Sequence, residues 1–182
     1  CPKPISNKKG SIINPIKNKS SVINTFLEGK QANSITENHC QQLGKHLALM
    51  HTKALDFKLS RQNTLSQKYW RNLFENFRYN QTTEYNKIFD DINIEINYLE
   101  ENWPKNLPSG IIHGDVFQDN VFFRNNIFSG IIDFYFACND YYAYELAICI
   151  NAWCFNLQNK FDTKNASAIL NGYQYYRKLS KK

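Results

Sequence analysis

The sequence predicts an α+β fold, mostly helical, with one short β-hairpin near its centre. Two observations carry this expectation. Apolar residues recur at spacings of three and four in five separate stretches, as in Cys40, Leu43, Leu47 and Met50. Between the third and fourth of these lies IIHGDVFQDNVFFRNNIFSGIIDFYF, residues 111–136, where short β-branched and aromatic runs alternate with turn-forming asparagines.

Bulk properties narrow the class. The chain has 182 residues, 42% hydrophobic and 15% aromatic, enough for one domain with a buried core or for a large piece of a two-lobed protein. No apolar run approaches a membrane span and no signal-peptide pattern opens the chain, so no membrane partner is expected. It opens instead on Cys1, Pro2 and Pro4, as a piece of a longer protein would. The net charge of +6 gathers near the two ends, at Lys3, Lys8, Lys9, Lys17 and Lys19 and at Lys178, Lys181 and Lys182. Such charge attracts nucleic acid or a phosphorylated ligand, or is the solvated surface of a Lys- and Asn-rich protein; the second is the commoner case, and no nucleic-acid partner is expected. The five cysteines form no CxxC pair and no His/Cys ligand spacing, which predicts reduced, mostly buried thiols in a cytoplasmic protein and supports neither zinc nor a catalytic thiol.

In chain order, residues 1–20 read as loop with a short edge strand at 11–13, and Ser21 to Leu27 as a better strand closed by Glu28-Gly29. The next helix opens at Ser34 with Glu37 three residues on, a capping box, and carries His39, His46 and His51 as surface or packing residues. Ser66 to Phe77 forms a second helix with Trp70, Leu73, Phe74 and Phe77 on one side; Arg71 among them is either solvated or a fork for a carboxylate. The third runs from Glu84 to Glu101, burying Tyr85, Ile88, Ile92, Ile96 and Leu99, and stops before Trp103-Pro104. After the central segment, Tyr141 to Phe155 is a strongly apolar helix, and Thr163 to Leu179 a final one with Ile169, Leu170, Tyr173 and Tyr176.

The central segment carries the chemistry. Ile111-Ile112 leads into His113-Gly114-Asp115, with Asn120 five residues further on, and Ile131-Ile132 leads into Asp133-Phe134. Val121 to Phe123 and Ile127-Phe128 flank Arg124-Asn125-Asn126, a hairpin that brings Asn120 and Asp133 to one end of a sheet. An aspartate, an asparagine and a second aspartate in this order match the kinase pattern of a base followed by two oxygen ligands for Mg²⁺. Singly, Asp115 could cap a turn, Asn120 could fill a left-handed position and Asp133 could cap a helix; the three together point to phosphoryl transfer. His113 reads as a brace for the loop, and Asp119 as either solvated or in contact with metal or a substrate amine.

HGD in place of HRD resembles the aminoglycoside phosphotransferase and choline kinase group, and within it the chain resembles phosphotransferase-like homoserine kinases. The segments IIHGDVFQDNVFF, GIIDFYFACND, YELAICINAWCF, CPKPI, VINTFLEGK, HCQQLGKHLALMH, YWRNLFE and NLPSG carry this resemblance over nearly the whole chain, in order. It implies a protein-kinase-like fold, with residues 1–29 as the last strands of an N-terminal lobe plus hinge and residues 30–182 as the catalytic lobe, truncated at both ends and weakly active or inactive alone. It implies ATP and Mg²⁺ as cofactors, L-homoserine as substrate, Asp115 as base, and Asn120 and Asp133 on the metal. Thr25, Phe26, Leu27 and Glu28 become the adenine-contacting hinge, and Arg71, Asp119 and Asp140 the candidates for substrate. Glu145, where the wider group has aspartate, is expected to be structural. A kinase for another small hydroxyl compound, of aminoglycoside or choline type, a basic binding module and an inactive scaffold are the alternatives.

Overall fold

A computed structural model describes residues 1–79, 86–156 and 158–180. Among the described residues the chain forms three two-stranded antiparallel sheets and five α-helices of unequal packing. The first sheet pairs β1 (Asn14–Ile16) with β2 (Lys19–Ser21). This is later than the edge strand expected at 11–13, because Lys17 and Asn18, at φ 48° and 61°, supply the tight turn. The strand expected over Ser21 to Leu27 is reduced to a passage in which Ile5 and Thr25 exchange backbone hydrogen bonds with Ile23 and Lys3, with a bridge between Pro4 and Asn24.

Helix α1 (Glu37–Lys53) is capped by Thr36, whose hydroxyl accepts from the His39 N–H, rather than by Ser34. Helix α2 (Gln67–Tyr79) and α3 (Asn86–Asn102) form a side unit joined by a small cluster of Phe74, Phe89 and Ile96. The expected start of α3 at Glu84 and its Tyr85 lie outside the described residues. Because α2 and α3 cover only a narrow seam of each other, Leu73, Phe77, Ile88 and Ile92, expected on buried faces, are exposed, and Phe89 takes the seam instead.

Strand β3 (Ser109–Ile112) pairs with β6 (Cys138–Tyr141), while β4 (Val121–Arg124) and β5 (Ile127–Ile131) make the predicted hairpin. Asn125 and Asn126 have φ of 52° and 62°, the double left-handed turn that fits the twist of the flanking strands. Helix α4 (Tyr142–Trp153) follows β6 directly, and α5 (Thr163–Tyr173) is capped by Asp162. The last helix ends at Tyr173 rather than at Leu179, and Tyr176 is left largely exposed.

The main core is built where α1, α4, α5 and the hairpin meet, from Leu43, Leu47, Val116, Val121, Ile131, Leu146, Trp153, Ile169 and Tyr173 among others. Helices α1 and α5 make the largest helix–helix interface. They approach so closely that a Cβ on Gly44 would lie 2.0 Å from the Ile169 carbonyl oxygen, and one on Gly172 2.0 Å from that of Gln41. Among the described residues, no helix is long and apolar enough to cross a membrane.

Candidate active site

The loop between β3 and β4 carries the first half of the site, and α4 holds it from below. Glu145 is fully buried, a charge in the most apolar helix of the chain. Its Oε1 accepts from the backbone N–H groups of His113 at 2.6 Å and Gly114 at 2.8 Å. Its Oε2 accepts from Nε2 of the equally buried His51 at 2.6 Å, and Nδ1 of that ring faces the Tyr173 hydroxyl at 2.8 Å. A buried carboxylate is tolerable only when so satisfied. Further along, the Trp153 indole donates to the Val116 carbonyl and the Gln118 amide to that of Ala152, each at 2.8 Å. Gly114 takes φ +77°, the left-handed turn that lets the loop double back.

This scaffold presents Asp115, half-buried, and braces it on two sides. The Asn120 amide nitrogen donates to the Asp115 carbonyl at 2.9 Å and to its Oδ2 at 3.0 Å. The Asp115 N–H donates to His113 Nδ1 at 3.2 Å, so His113 must carry its proton on Nε2, which donates to the Ile132 carbonyl at 2.8 Å. His113 therefore ties the loop of Asp115 to the strand that ends in Asp133. From the other direction, the Ile132 N–H donates to the Asn120 carbonyl at 3.0 Å. Asp133 itself is exposed, in the left-handed region at φ 59°, with Oδ1 accepting from the Tyr135 N–H at 3.4 Å. The structure thus brings Asp115, Asn120, His113 and Asp133 together.

The donor set suits a hard divalent cation. Among the described residues, no three or more His, Cys, Asp or Glu side chains converge as a metal-binding group. Mg²⁺ needs no such cage; one or two protein oxygens suffice when phosphates and water complete its octahedron. Asn120 and Asp133 offer an amide oxygen and a carboxylate one residue from a shared backbone hydrogen bond.

The other sequence-predicted residues are placed unequally. Asp119 is exposed in the 3₁₀ turn of residues 118–120. Asp140, on β6, accepts from the Asn63 amide at 2.6 Å. Arg71 is not brought to the site: its guanidinium is committed to Glu100, Asn93 and Asn97, all on α3, where it clamps the two helices together. Four of its hydrogen bonds are made there, so of the two readings of Arg71 the structure favours neither a free solvated side chain nor one turned to the site. Of the hinge candidates, Thr25 hydrogen-bonds Lys3, Phe26 is 88% exposed, Leu27 lies against Gly130, and Glu28 pairs with Arg124. Among the described residues, no hydrogen bond engages the backbone of Phe26 or Leu27.

Sequence reasoning missed the partners of Glu145. His51 falls four residues after Leu47 on the apolar stripe of α1, and a lone charge inside an apolar helix demands a buried partner; those two signals together point to the pair. It also missed β6 and the segment 61–63 beside it, which carry no apolar alternation.

Comparison with known proteins agrees with this geometry. Residues 1–179 match the model of the phosphotransferase enzyme family, APH. A homoserine kinase of Bartonella henselae is 45% identical over 179 residues, covering 98% of this chain and 56% of the relative. One from Sinorhizobium fredii is 40% identical over 180 residues, covering 99% and 55%. The chain thus spans little more than half the length of the curated relatives it matches. Among solved structures, amicoumacin kinase hAmiN in complex with AMP-PNP, Ca²⁺ and Ami superposes with TM-score 0.73 at 12% identity, covering 98% of this chain and 57% of that one. Spectinomycin phosphotransferase APH(9)-Ia, in complex with ADP and spectinomycin, gives 0.69 at 19% identity, covering 93% and 57%. At these identities the likeness speaks for the fold alone. With the HGD loop, the Asn120–Asp133 pair and the family match in agreement, the chain belongs to the phosphotransferase enzyme family.

Proposed function

We propose that the whole protein transfers the γ-phosphoryl group of ATP to the side-chain hydroxyl of L-homoserine, giving O-phospho-L-homoserine. The observation that carries this reading is Asp115, held by Asn120 and His113 with one carboxylate oxygen on Asn120 and the other left to meet an acceptor hydroxyl. The homoserine kinases that resemble the chain over nearly its full length supply the substrate.

In this mechanism Asp115 orients the homoserine hydroxyl and takes its proton as the oxygen attacks the γ-phosphorus. Asn120 fixes Asp115 through its amide nitrogen, and its amide oxygen together with Asp133 would hold Mg²⁺. Bound there, the ion would offset charge on the phosphates. Glu145 keeps the His113-Gly114 turn from shifting, and His113 keeps Asp115 in register with Asp133. The backbone of Phe26 and Leu27 reads the adenine edge, between Thr25 and Glu28. Asp119 faces solvent at the mouth of this arrangement, and Asp140 lies toward the acceptor.

The test uses full-length protein with ATP, Mg²⁺ and homoserine. Asp115→Asn is expected to lower kcat by at least about 100-fold, the scale of a lost general base. Wild-type-like turnover in that variant would remove Asp115 from the role. Asp133→Ala is expected to raise the Mg²⁺ concentration needed for half-maximal rate; an unchanged Mg²⁺ titration assigns the metal elsewhere.

A further inference from the structure

Residues 61–63 follow α1 and run beside β6. Gln62 forms a parallel bridge with Asn139, the Asn139 N–H donates to the Arg61 carbonyl at 2.7 Å, and the Arg61 N–H donates to Asn139 Oδ1 at 2.9 Å. The segment is thereby fixed to the free edge of β6. Asn63 is held at both ends of its side chain: Nδ2 donates to Asp140 Oδ2 at 2.6 Å, and Oδ1 accepts from the Leu65 N–H at 2.9 Å. The Arg61 guanidinium donates through Nη1 to the Tyr135 carbonyl and lies 5.7 Å from the Tyr135 ring centre.

Two hollows meet on this segment. One, of about 70 Å³, is lined by Arg61, Gly114, Phe136 and Tyr144 among others. The second, of about 280 Å³, is lined by Lys68, Trp103 and Asp140 among others. They share Gln62 and Asn63, with Arg61 and the residue preceding Asp115 on the smaller hollow and Asp140 on the larger; together we read them as one groove. Its volume falls at or below the roughly 300–1,000 Å³ of pockets for drug-sized ligands, room for an amino-acid-sized molecule.

The lining carries two cations, Arg61 and Lys68, and one anion, Asp140. Among the described residues no carboxylate pairs with Arg61, and Asp140 accepts only from the Asn63 amide and the Tyr141 N–H. Both charges act on Cys138 between them: burial, then Asp140 and Glu145, push its thiol up to about 11, against the opposing pull of Arg61. Opposite charges on neighbouring hollows that do not pair with each other complement a zwitterion.

We infer that Arg61 and Asp140, the latter steadied by Asn63, form the head-group site that selects the substrate, Arg61 taking the α-carboxylate and Asp140 the α-ammonium while the side-chain hydroxyl reaches Asp115. This rests on the proposed homoserine kinase activity and adds the residues that choose the amino acid. Arg61 suits the role because its planar fork engages both oxygens of a carboxylate. Lys68, also in the groove, lies over the Tyr69 ring and on the side away from Gly114.

The test compares homoserine with 3-amino-1-propanol, which lacks the carboxylate, and 4-hydroxybutyrate, which lacks the ammonium. Turnover is measured first on wild-type full-length protein; no phosphorylation of homoserine there defeats the functional proposal itself. Dissociation constants are then measured on protein saturated with a non-hydrolysable ATP analogue. Arg61→Met is expected to weaken homoserine about 10- to 100-fold, the scale of a lost charge-assisted pair, and to leave 3-amino-1-propanol within about threefold. Arg61→Lys recovers part of the loss. Asp140→Asn weakens homoserine similarly and spares 4-hydroxybutyrate. Equal weakening of homoserine and 3-amino-1-propanol by Arg61→Met, or a loss of nucleotide affinity in that variant, overturns the assignment while leaving the kinase reading intact.

Discussion

Glu145 and His51 show how one buried pair serves a residue that neither touches. The two backbone N–H groups that Glu145 receives belong to the residues immediately before Asp115, so its carboxylate sets the height of the catalytic loop above α4. His51→Leu leaves that carboxylate buried without its side-chain donor, which costs about 3 kcal/mol of stability by the usual scale for a broken buried pair. In full-length protein the same change is expected to lower kcat about 10- to 100-fold through misplacement of Asp115, with the KM for ATP unchanged. Denaturant unfolding and steady-state kinetics check the two halves. A variant as stable and as fast as wild type would mean that Glu145 holds the loop unaided. Residue types in order were enough to single out Asp115, Asn120 and Asp133 and the hairpin between the last two, because the proposed roles need fixed spacing along one hairpin. The surroundings of Arg71 and Arg61 were not readable that way: both stand among polar or aromatic residues, and only the α2–α3 seam and the bridge to β6 tell them apart.

At the scale of elements, close approach decides the helix core. Helix α1 reaches α5 only because Gly44 and Gly172 have no side chains to hold them apart. Gly44→Ala puts a methyl against backbone that cannot turn away, and is expected to cost about 3 kcal/mol despite the better helix propensity of alanine. A urea midpoint equal to wild type would show that α1 and α5 can slide apart freely. Helix existence was legible from periodicity in all five cases, while the covered face was not in α2 and α3, where the partner is a single narrow helix. Strand β6 escaped notice because Cys138-Asn139-Asp140-Tyr141 lacks apolar alternation; its pairing with β3 is what makes it a strand. The first hairpin shifted for a related reason, since Lys17-Asn18 is a turn by conformation more than by composition.

For the whole molecule, the thiols report how tightly the core is closed. Burial first, then nearby negative charge, pushes Cys40 up to about 12 and Cys154 up to about 11 from the ordinary 9.0, and Cys149 well above it. Such thiols stay protonated and unreactive near neutral pH, so a thiol reagent is expected to modify exposed Cys1 and spare the other four until the chain unfolds. The sign for stability follows from proton binding. Above the ordinary value of 9.0 the unfolded chain loses these protons while the folded chain keeps them, so the contribution, complete below that pH, is lost as pH climbs toward 11 to 12. A denaturation midpoint that stays flat from pH 9 upward would contradict this.

The β4–β5 hairpin is gripped from two sides. Gln42 donates to the Asn126 carbonyl at 2.9 Å and accepts from the Phe128 N–H at 2.8 Å, and His46 stacks on Phe128 at 3.8 Å. On its other edge, Lys30 and Phe123 exchange two backbone hydrogen bonds, made possible by Gly29 at φ +123°, where a Cβ would lie 2.8 Å from the Phe123 carbonyl oxygen. Glu28 adds the pair with Arg124 and the bond from Ser129. Residues 28–30 are therefore riveted to the same hairpin that Asn120 and Asp133 flank. With Glu28 and Lys30 both bonded to it, residues 28–30 and the hairpin between Asn120 and Asp133 are held as one piece.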